Sequence, residues 1–463
     1  MRWKTEGWTM PKVRLAIVAL VALPILWQVF VPPIVGLADN GDWNKVAGLF
    51  RLQPVTEEGR YFGWVVTKLR EDPASPRYFY LPTSAHLLVA PSICLGKLVS
   101  KDGILDIRWV GLGHSALFLF AIWLVAPLVP KAMWIPAMLV VCDVAYVSYF
   151  NSFYMDAEAF LMLLILMAAY LRLAAGYGAP RLNVALFVSA AILLVTAKTQ
   201  HSPLGILLAL FVLWKRDLLV DKRWRYGVAG CLLLASGAFL IQVPQGYKAM
   251  AFYNVVFSGL LPNSSNPTEV LKSLDLPPES LRYSGTHSFQ PDSGWSDEHL
   301  RPVLLSRSSP TRLGWYYVTH PHDTLKIFFL GLSRAALQRP FRFGNFSRDS
   351  GFPVAATSQA FAFWSDFKQE FFRDRPGRYL LLLLVPSLLL VVLLRGPWRD
   401  GAYLLTGMAF TELVLGSLGD VKETTRHLFL FNAMLDLVLL CFLARVVLLL
   451  SAWRSSRAST RLP

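Results

Sequence analysis

Long apolar runs, nearly free of charge, alternate along the chain with shorter polar stretches. Val13 to Gly36, Ile104 to Pro127 and Tyr379 to Leu394 approach or exceed the roughly 20 residues that carry a helix across a bilayer. The pattern predicts about ten spanning helices, over 13–35, 104–127, 132–150, 157–174, 182–197, 202–214, 226–243, 378–394, 401–418 and 427–450. The two runs flanking Lys198 are short, which suits tilted or half-buried helices. Ala85 to Val99 is shorter still and contains Pro91, so an interfacial or re-entrant helix is expected there. The predicted fold is an all-α polytopic membrane protein with extracytoplasmic juxtamembrane helices and a long extracytoplasmic loop region.

Composition agrees with that reading. Of the 463 residues, 54% are hydrophobic, 13% aromatic and only 16% charged, against roughly 25% charged in soluble domains. A soluble multi-domain enzyme, a disordered chain and a fibrous one are excluded. The net charge of +15 does not point to nucleic acid, because the cations gather at the ends of apolar runs, where they orient helices. Four scattered cysteines, Cys94, Cys142, Cys231 and Cys441, form no disulfide framework and read as small apolar packers.

Lys and Arg favour cytoplasmic loops. Arg2, Lys4, Lys12 and Arg14, the loop 215–225 with Lys215, Arg216, Lys222, Arg223 and Arg225, and the tail with Arg454, Arg457 and Arg461 all fall on one side of ten crossings. The segments 36–103, 151–156, 198–201, 244–377 and 419–426 then face outward. The first span is expected to be an uncleaved anchor. The organisation expected is a transmembrane module over 1–243 containing the first outer loop, an outer loop region over 244–377, and C-terminal helices with a cytoplasmic tail over 378–463. The lipid bilayer is an obligatory partner of this topology.

Four polar clusters fall on the outer face. Asp39-Asn40-Gly41-Asp42-Trp43 places two carboxylates around a glycine turn. A carboxylate shielded at a membrane face suits a general base, while an Asx turn with Asp42 capping a following helix is the structural reading. Asn151-Ser152-Phe153-Tyr154-Met155-Asp156-Ala157-Glu158 opens an apolar run with two acids, which is helix capping or, for Glu158 one turn inside a membrane helix, a site. Lys198-Thr199-Gln200-His201 lies between two short apolar runs, and Lys422-Glu423-Thr424-Thr425-Arg426-His427 leads into the last span. Basic residues at helix ends often only snorkel, but four clusters on one face suggest a common site. His320-Pro321-His322 lacks the further ligands that would complete a metal site. Asn263-Ser264-Ser265 and Asn345-Phe346-Ser347 are glycosylation sequons.

With these residues in place the chain resembles the GT-C superfamily of integral-membrane glycosyltransferases, most closely bacterial surface-glycan hexose transferases. The matching stretches are Asn40-Gly41-Asp42, Asn151-Ser152-Phe153-Tyr154 with an acid two residues on, Lys198-Thr199-Gln200, Tyr253-Asn254-Val255-Val256-Phe257 with Asn266-Pro267, and Arg426-His427-Leu428-Phe429. The resemblance implies transfer of a sugar from a polyprenyl-phosphate donor to a glycan or lipid acceptor on the extracytoplasmic face. It implies a catalytic role for Asp42, with Asp156 or Glu158 as a second acid. The pattern commonly has glutamate then proline where this chain has Asp156-Ala157. Asp39 stands where asparagine is usual, and ranks below Asp42. Asp39, Asn40, Asn151, Tyr154, Lys198, Gln200, His201, Arg426 and His427 are the expected substrate-binding residues.

The chemistry is self-consistent. A lipid-linked sugar phosphate is already activated, so only a base for the incoming hydroxyl is needed. Lys198, Arg426 and His427 supply cations for the departing phosphate, so the reaction requires no metal and still leaves room for a divalent ion. A multi-span transporter or lipid-linked glycan flippase is the rival reading. It predicts interrupted helices near the midplane and often a repeat, and the sequence contains no internal repeat.

Overall fold

The computed structural model describes residues 11–56, 63–75, 82–219, 221–340, 342–419, 421 and 423–459. Arg2, Lys4, Lys422 and Arg461, read above as topology or motif residues, lie outside them. Among the described residues, seven helices are long and apolar enough to cross a membrane: Lys12–Phe30, Arg108–Leu128, Met155–Ala175, Lys222–Ile241, Pro376–Leu393, Pro397–Gly419 and Phe429–Arg454. Four apolar helical segments are shorter, Ser84–Val99, Lys131–Val141, Pro180–Val195 and Thr199–Trp214. The chain is an all-α multi-pass membrane protein. The run expected as one span over 132–150 is broken, because Asp143 caps a separate short turn by accepting the Ala145 amide at 2.8 Å.

Met155–Ala175 is the central helix. It is buried on every side over most of its length, the mark of a helix surrounded by others. Gly176, at φ 63°, ends it in the left-handed conformation that closes helices at little cost for glycine. Outer helices instead leave apolar side chains uncovered, as Leu381, Leu384, Leu388 and Val392 do on Pro376–Leu393, a face suited to lipid and not to water. Cys94 and Cys231 are exposed on such helices, whereas Cys142 is buried in the core and Cys441 is partly buried against it.

The first loop is tied down in three ways. Strands β1 (Leu52–Pro54), β2 (Lys68–Glu71) and β3 (Ile104–Asp106) form an antiparallel sheet in the order β1-β2-β3, with Gln53 opposite Arg70 and Leu69 opposite Leu105. Residues 344–346 run beside the loop, since Gly36 donates to Asn345 O at 3.0 Å, Ala38 to Gly344 O at 2.9 Å and Val65 to Phe346 O at 3.0 Å. Asn345 Nδ2 donates back to Gly36 O at 2.7 Å, so this sequon asparagine is buried and bonded in the fold. Asn151 Nδ2 also donates to Val29 O at 2.9 Å and Val35 O at 2.8 Å, fixing the exit of the first helix.

The region after Ile241 is helical and has its own apolar core of Tyr253, Val256, Phe257, Leu260, Leu271, Leu304, Tyr316 and Ile327. A linker buries no such core. Tyr253-Asn254-Val255-Val256-Phe257 leads into a π-helical segment over Asn254–Leu260. Its polar groups hold a neighbouring loop: Asn254 Oδ1 accepts from the Ser288 amide at 2.9 Å and Tyr253 Oη from the Gly294 amide at 2.8 Å. The helix Pro321–Ala335 joins this region to the bundle. A Cβ on Gly331 would come within 2.5 Å of the Ser417 side chain, so glycine permits that approach.

Candidate functional site

The Asp39-to-Trp43 turn divides its two carboxylates between two tasks. Gly41, at φ 99°, makes the bend. Asp39 is buried, and its Oδ1 accepts the amides of Gly41 at 2.7 Å and Trp43 at 3.1 Å. The turn-stabilising role therefore belongs to Asp39. The short helix that follows, Asn44–Ala47, is preceded by Trp43 and has no side-chain cap, so Asp42 is not the N-cap that the structural reading expected.

Asp42 instead carries a cation on each oxygen. Lys45 Nζ lies 2.7 Å from Oδ1 and Arg426 Nη1 2.6 Å from Oδ2. The second guanidinium nitrogen, Nη2, pairs with Glu423, and Glu423 Oε1 accepts from Asn40 Nδ2 at 2.8 Å. Burial opposes the charge on Asp42, but Arg426 and Lys45 outweigh it and hold the carboxyl well below the usual carboxylate range. Burial likewise opposes the charges of Lys45 and Arg426, and Asp42 more than compensates, so both stay protonated more firmly than usual. Arg426 is only 5% exposed, whereas Asp42 and Lys45 are each 20% exposed. Lys45 also lies 4.9 Å from the centre of the Tyr247 ring, and Arg426 sits 5.1 Å from that of Tyr154.

Tyr154 fastens the turn to the central helix. Its hydroxyl donates to Ala38 O at 2.7 Å and accepts from the Asn40 amide at 2.9 Å. Two residues on, Asp156 Oδ1 receives Lys198 Nζ at 2.8 Å, both side chains being buried. Glu158 turns elsewhere: His114 Nε2 lies 3.2 Å from its Oε1, and His114 Nδ1 bonds the Phe150 carbonyl at 2.9 Å. Of the two acids left open by the sequence, Asp156 carries the lysine of the third cluster, while Glu158 does not join the Asp42 network.

The third and fourth clusters meet through Gln200. Its Nε2 donates to Glu412 Oε2 at 2.9 Å and to His427 O at 2.7 Å, and its Oε1 accepts His427 Nδ1 at 2.7 Å. His201 Nδ1 donates to Glu412 Oε1 at 2.8 Å. Thus Asn40, Asp42, Tyr154, Arg426 and Glu423 form one linked group, with Gln200, His201, His427 and Glu412 attached through the turn Thr424–His427. Asn151, expected to bind substrate, has its amide nitrogen taken by two backbone carbonyls.

Sequence reasoning passed over Lys45, Tyr247, Glu412 and the pairing role of Glu423. Glu412 had a readable signal, since a lone acid inside an apolar span is costly unless it serves a partner or a site. A second buried polar cluster also went unread. Lys368 Nζ lies 3.0 Å from both Asn432 Oδ1 and Asp436 Oδ1, and Asp436 Oδ2 accepts from Tyr146 Oη at 2.5 Å and Trp364 Nε1 at 2.8 Å. These bonds satisfy one another and cross-link the last span to the helix Phe363–Phe372.

Among the described residues, no group of three or more His, Cys, Asp or Glu lies together as a metal site would require. His320 stacks on Tyr316 with ring centres 4.1 Å apart, and His322 Nδ1 is 3.6 Å from Asp323.

The family model described as the YfdI N-terminal transmembrane domain matches residues 3–461, and the chain belongs to that family. No curated protein matches the sequence. No solved structure matches it either.

Proposed function

We propose that this member of the YfdI N-terminal transmembrane domain family is a GT-C type glycosyltransferase of the bacterial inner membrane. It takes a hexose or similar sugar from a polyprenyl-phosphate donor and gives it to a glycan or lipid acceptor at the outer face. The observation that carries this reading is the contact between clusters far apart in sequence: Asp42 with Arg426, Asn40 with Glu423, and Gln200 with His427. A bundle held together only by packing has no need of so many half-buried charges at one place, where desolvation is costly.

The acceptor hydroxyl oxygen attacks the anomeric carbon as the bond from that carbon to the phosphate oxygen breaks. The bonding pair leaves on the phosphate, giving polyprenyl phosphate, and the hydroxyl proton passes to Asp42. Arg426, with its fork of donors, and Lys45 lie where charge accumulates on the departing group. Lys198 is held by Asp156 and sets the charge of the site's inner wall, while Tyr154 and Asn40 keep the turn in register. Both Asp42 oxygens rest on cations, so the carboxylate becomes a working base only once a cation is drawn off it.

Purified protein in detergent, given radiolabelled polyprenyl-phosphate-hexose and a panel of glycan and lipid acceptors, should produce a labelled acceptor and free polyprenyl phosphate. Reconstituted protein that moves the lipid-linked sugar between leaflets and never transfers it would replace this reading with the flippase.

A further inference from the structure

Among the described residues, each Lys and Arg of the network already has a carboxylate. Arg426 is held by Asp42 and Glu423, Lys45 by Asp42, and Lys198 by Asp156. The four groups Asp42, Lys45, Glu423 and Arg426 sum to zero formal charge. Among the described residues of this group, a lipid phosphate finds each Lys and Arg already paired and binds strongly only by taking a cation from a resident acid. One guanidinium atom is still open: Arg426 Nε is buried and has no acceptor among the described residues. An oxyanion on Nε would share that side-on fork with Nη2, the nitrogen that Glu423 holds, and one on the end-on fork would meet Nη1 and Nη2, held by Asp42 and Glu423. Asp42 is the resident best placed to yield, because it stands on a glycine turn whose shape is kept by Asp39 and the backbone. Glu423 has a second anchor in Asn40.

Resting on the glycosyltransferase reading, we infer that Asp42 and the donor phosphate compete for Arg426, so that the arriving lipid phosphate itself releases the Asp42 carboxylate for proton abstraction. The Asp42–Arg426 pair is then a latch. With no donor present the base is held unreactive, and an acceptor hydroxyl entering alone meets an occupied carboxylate. Donor binding precedes activation, which protects the enzyme from unproductive acceptor chemistry.

The competition makes a prediction opposite to the usual effect of deleting a site residue. Asp42→Asn removes the competitor, so it should bind polyprenyl phosphate about tenfold more tightly than wild type, the scale of one charge-assisted hydrogen bond, while losing transfer. Equilibrium binding of radiolabelled polyprenyl phosphate to detergent-purified protein reads this directly, and Glu423→Gln should tighten binding less. Equal or weaker binding by Asp42→Asn overturns the latch and leaves the donor reading standing, as does tightening confined to Glu423→Gln. Absence of binding by both wild type and Asp42→Asn overturns the latch and the donor reading together. A second measurement needs no variant: polyprenyl phosphate should increase carbodiimide coupling at Asp42 of the wild-type protein several-fold, read by peptide mass spectrometry, and unchanged coupling overturns the latch.

Discussion

Lys198 Nζ lies 2.8 Å from Asp156 Oδ1 with both side chains nearly closed to solvent, 6% and 3% exposed. This pair changes what a substitution at Lys198 reports. Removing one partner of a buried pair leaves the other charge uncompensated and typically costs about 3–5 kcal/mol. Lys198→Met and Asp156→Asn should each lower the melting temperature of detergent-solubilised protein by several degrees, so activity lost by either single variant mixes folding with function. The combined Lys198→Met/Asp156→Asn variant should recover most of that loss. Melting losses that simply add would show that the two groups do not stabilise one another.

Glu412 pins the Lys198-to-His201 turn to the helix Pro397–Gly419. It is fully buried and accepts from both His201 and Gln200. Glu412→Ala strands the buried His201 donor, at about 1–3 kcal/mol for an unsatisfied group, and removes one of the two acceptors of Gln200, which positions His427. It should lower thermal stability and raise the donor concentration needed for half-maximal transfer. Glu412→Gln keeps one acceptor oxygen and should do less on both measures. A Glu412→Ala protein that melts and transfers like wild type would detach this residue from the site.

The membrane architecture was legible because apolar runs of sufficient length have few alternatives in a bilayer. The site was legible in part, wherever a polar residue interrupted such a run or bordered it: Asp42, Tyr154, Asp156, Gln200, Arg426 and His427 all meet partners from distant clusters. What could not be read was pairing. Lys45 carries no local signal in the sequence, and only the fold sets it against Asp42. Asn151 and Asp156 share one motif, yet the first is consumed by backbone carbonyls and the second by Lys198. Asp39 and Asp42 likewise differ through where the Gly41 bend sends each side chain, which depends on φ 99° at one residue. The Lys368–Asp436 cluster joins a polar helix to an apolar span, and neither partner carries a local signal of the other.

Orientation rests on the distribution of Lys and Arg, and cysteine accessibility tests it. Asp292 and Lys222 are both exposed, which suits them to labelling. Cys94 and Cys231 are exposed and must be replaced by serine along with Cys441 to clear the background. In intact cells an impermeant maleimide should label Asp292→Cys and spare Lys222→Cys, which should react only after permeabilisation. The reverse pattern would turn the Asp42 site toward the cytoplasm and exclude an outward-facing transferase.

Asp39 and Asp42 give the sharpest contrast, since the same substitution should have different consequences three residues apart. Asp39→Asn keeps an oxygen to accept the Gly41 and Trp43 amides, so transfer should fall only a few-fold. Asp42→Asn removes the proton acceptor and should cut transfer by about 100-fold to 10,000-fold, the usual cost of a lost general base. Acid stability reports the ion pairs independently of catalysis. The Asp42 carboxyl is held below its ordinary value in the fold by Arg426 and Lys45 against the opposing effect of burial. The unfolded chain therefore takes up that proton first, near about pH 4. The stabilisation from Asp42 is complete above that value and is lost as pH falls through the lower folded value. The melting-temperature gap between wild type and Asp42→Asn should stay constant from neutral pH down to about 5 and narrow below about 4. A gap that widens on acidification would mean that the carboxyl is raised in the fold, and would remove Asp42 from the grip of Arg426 and Lys45.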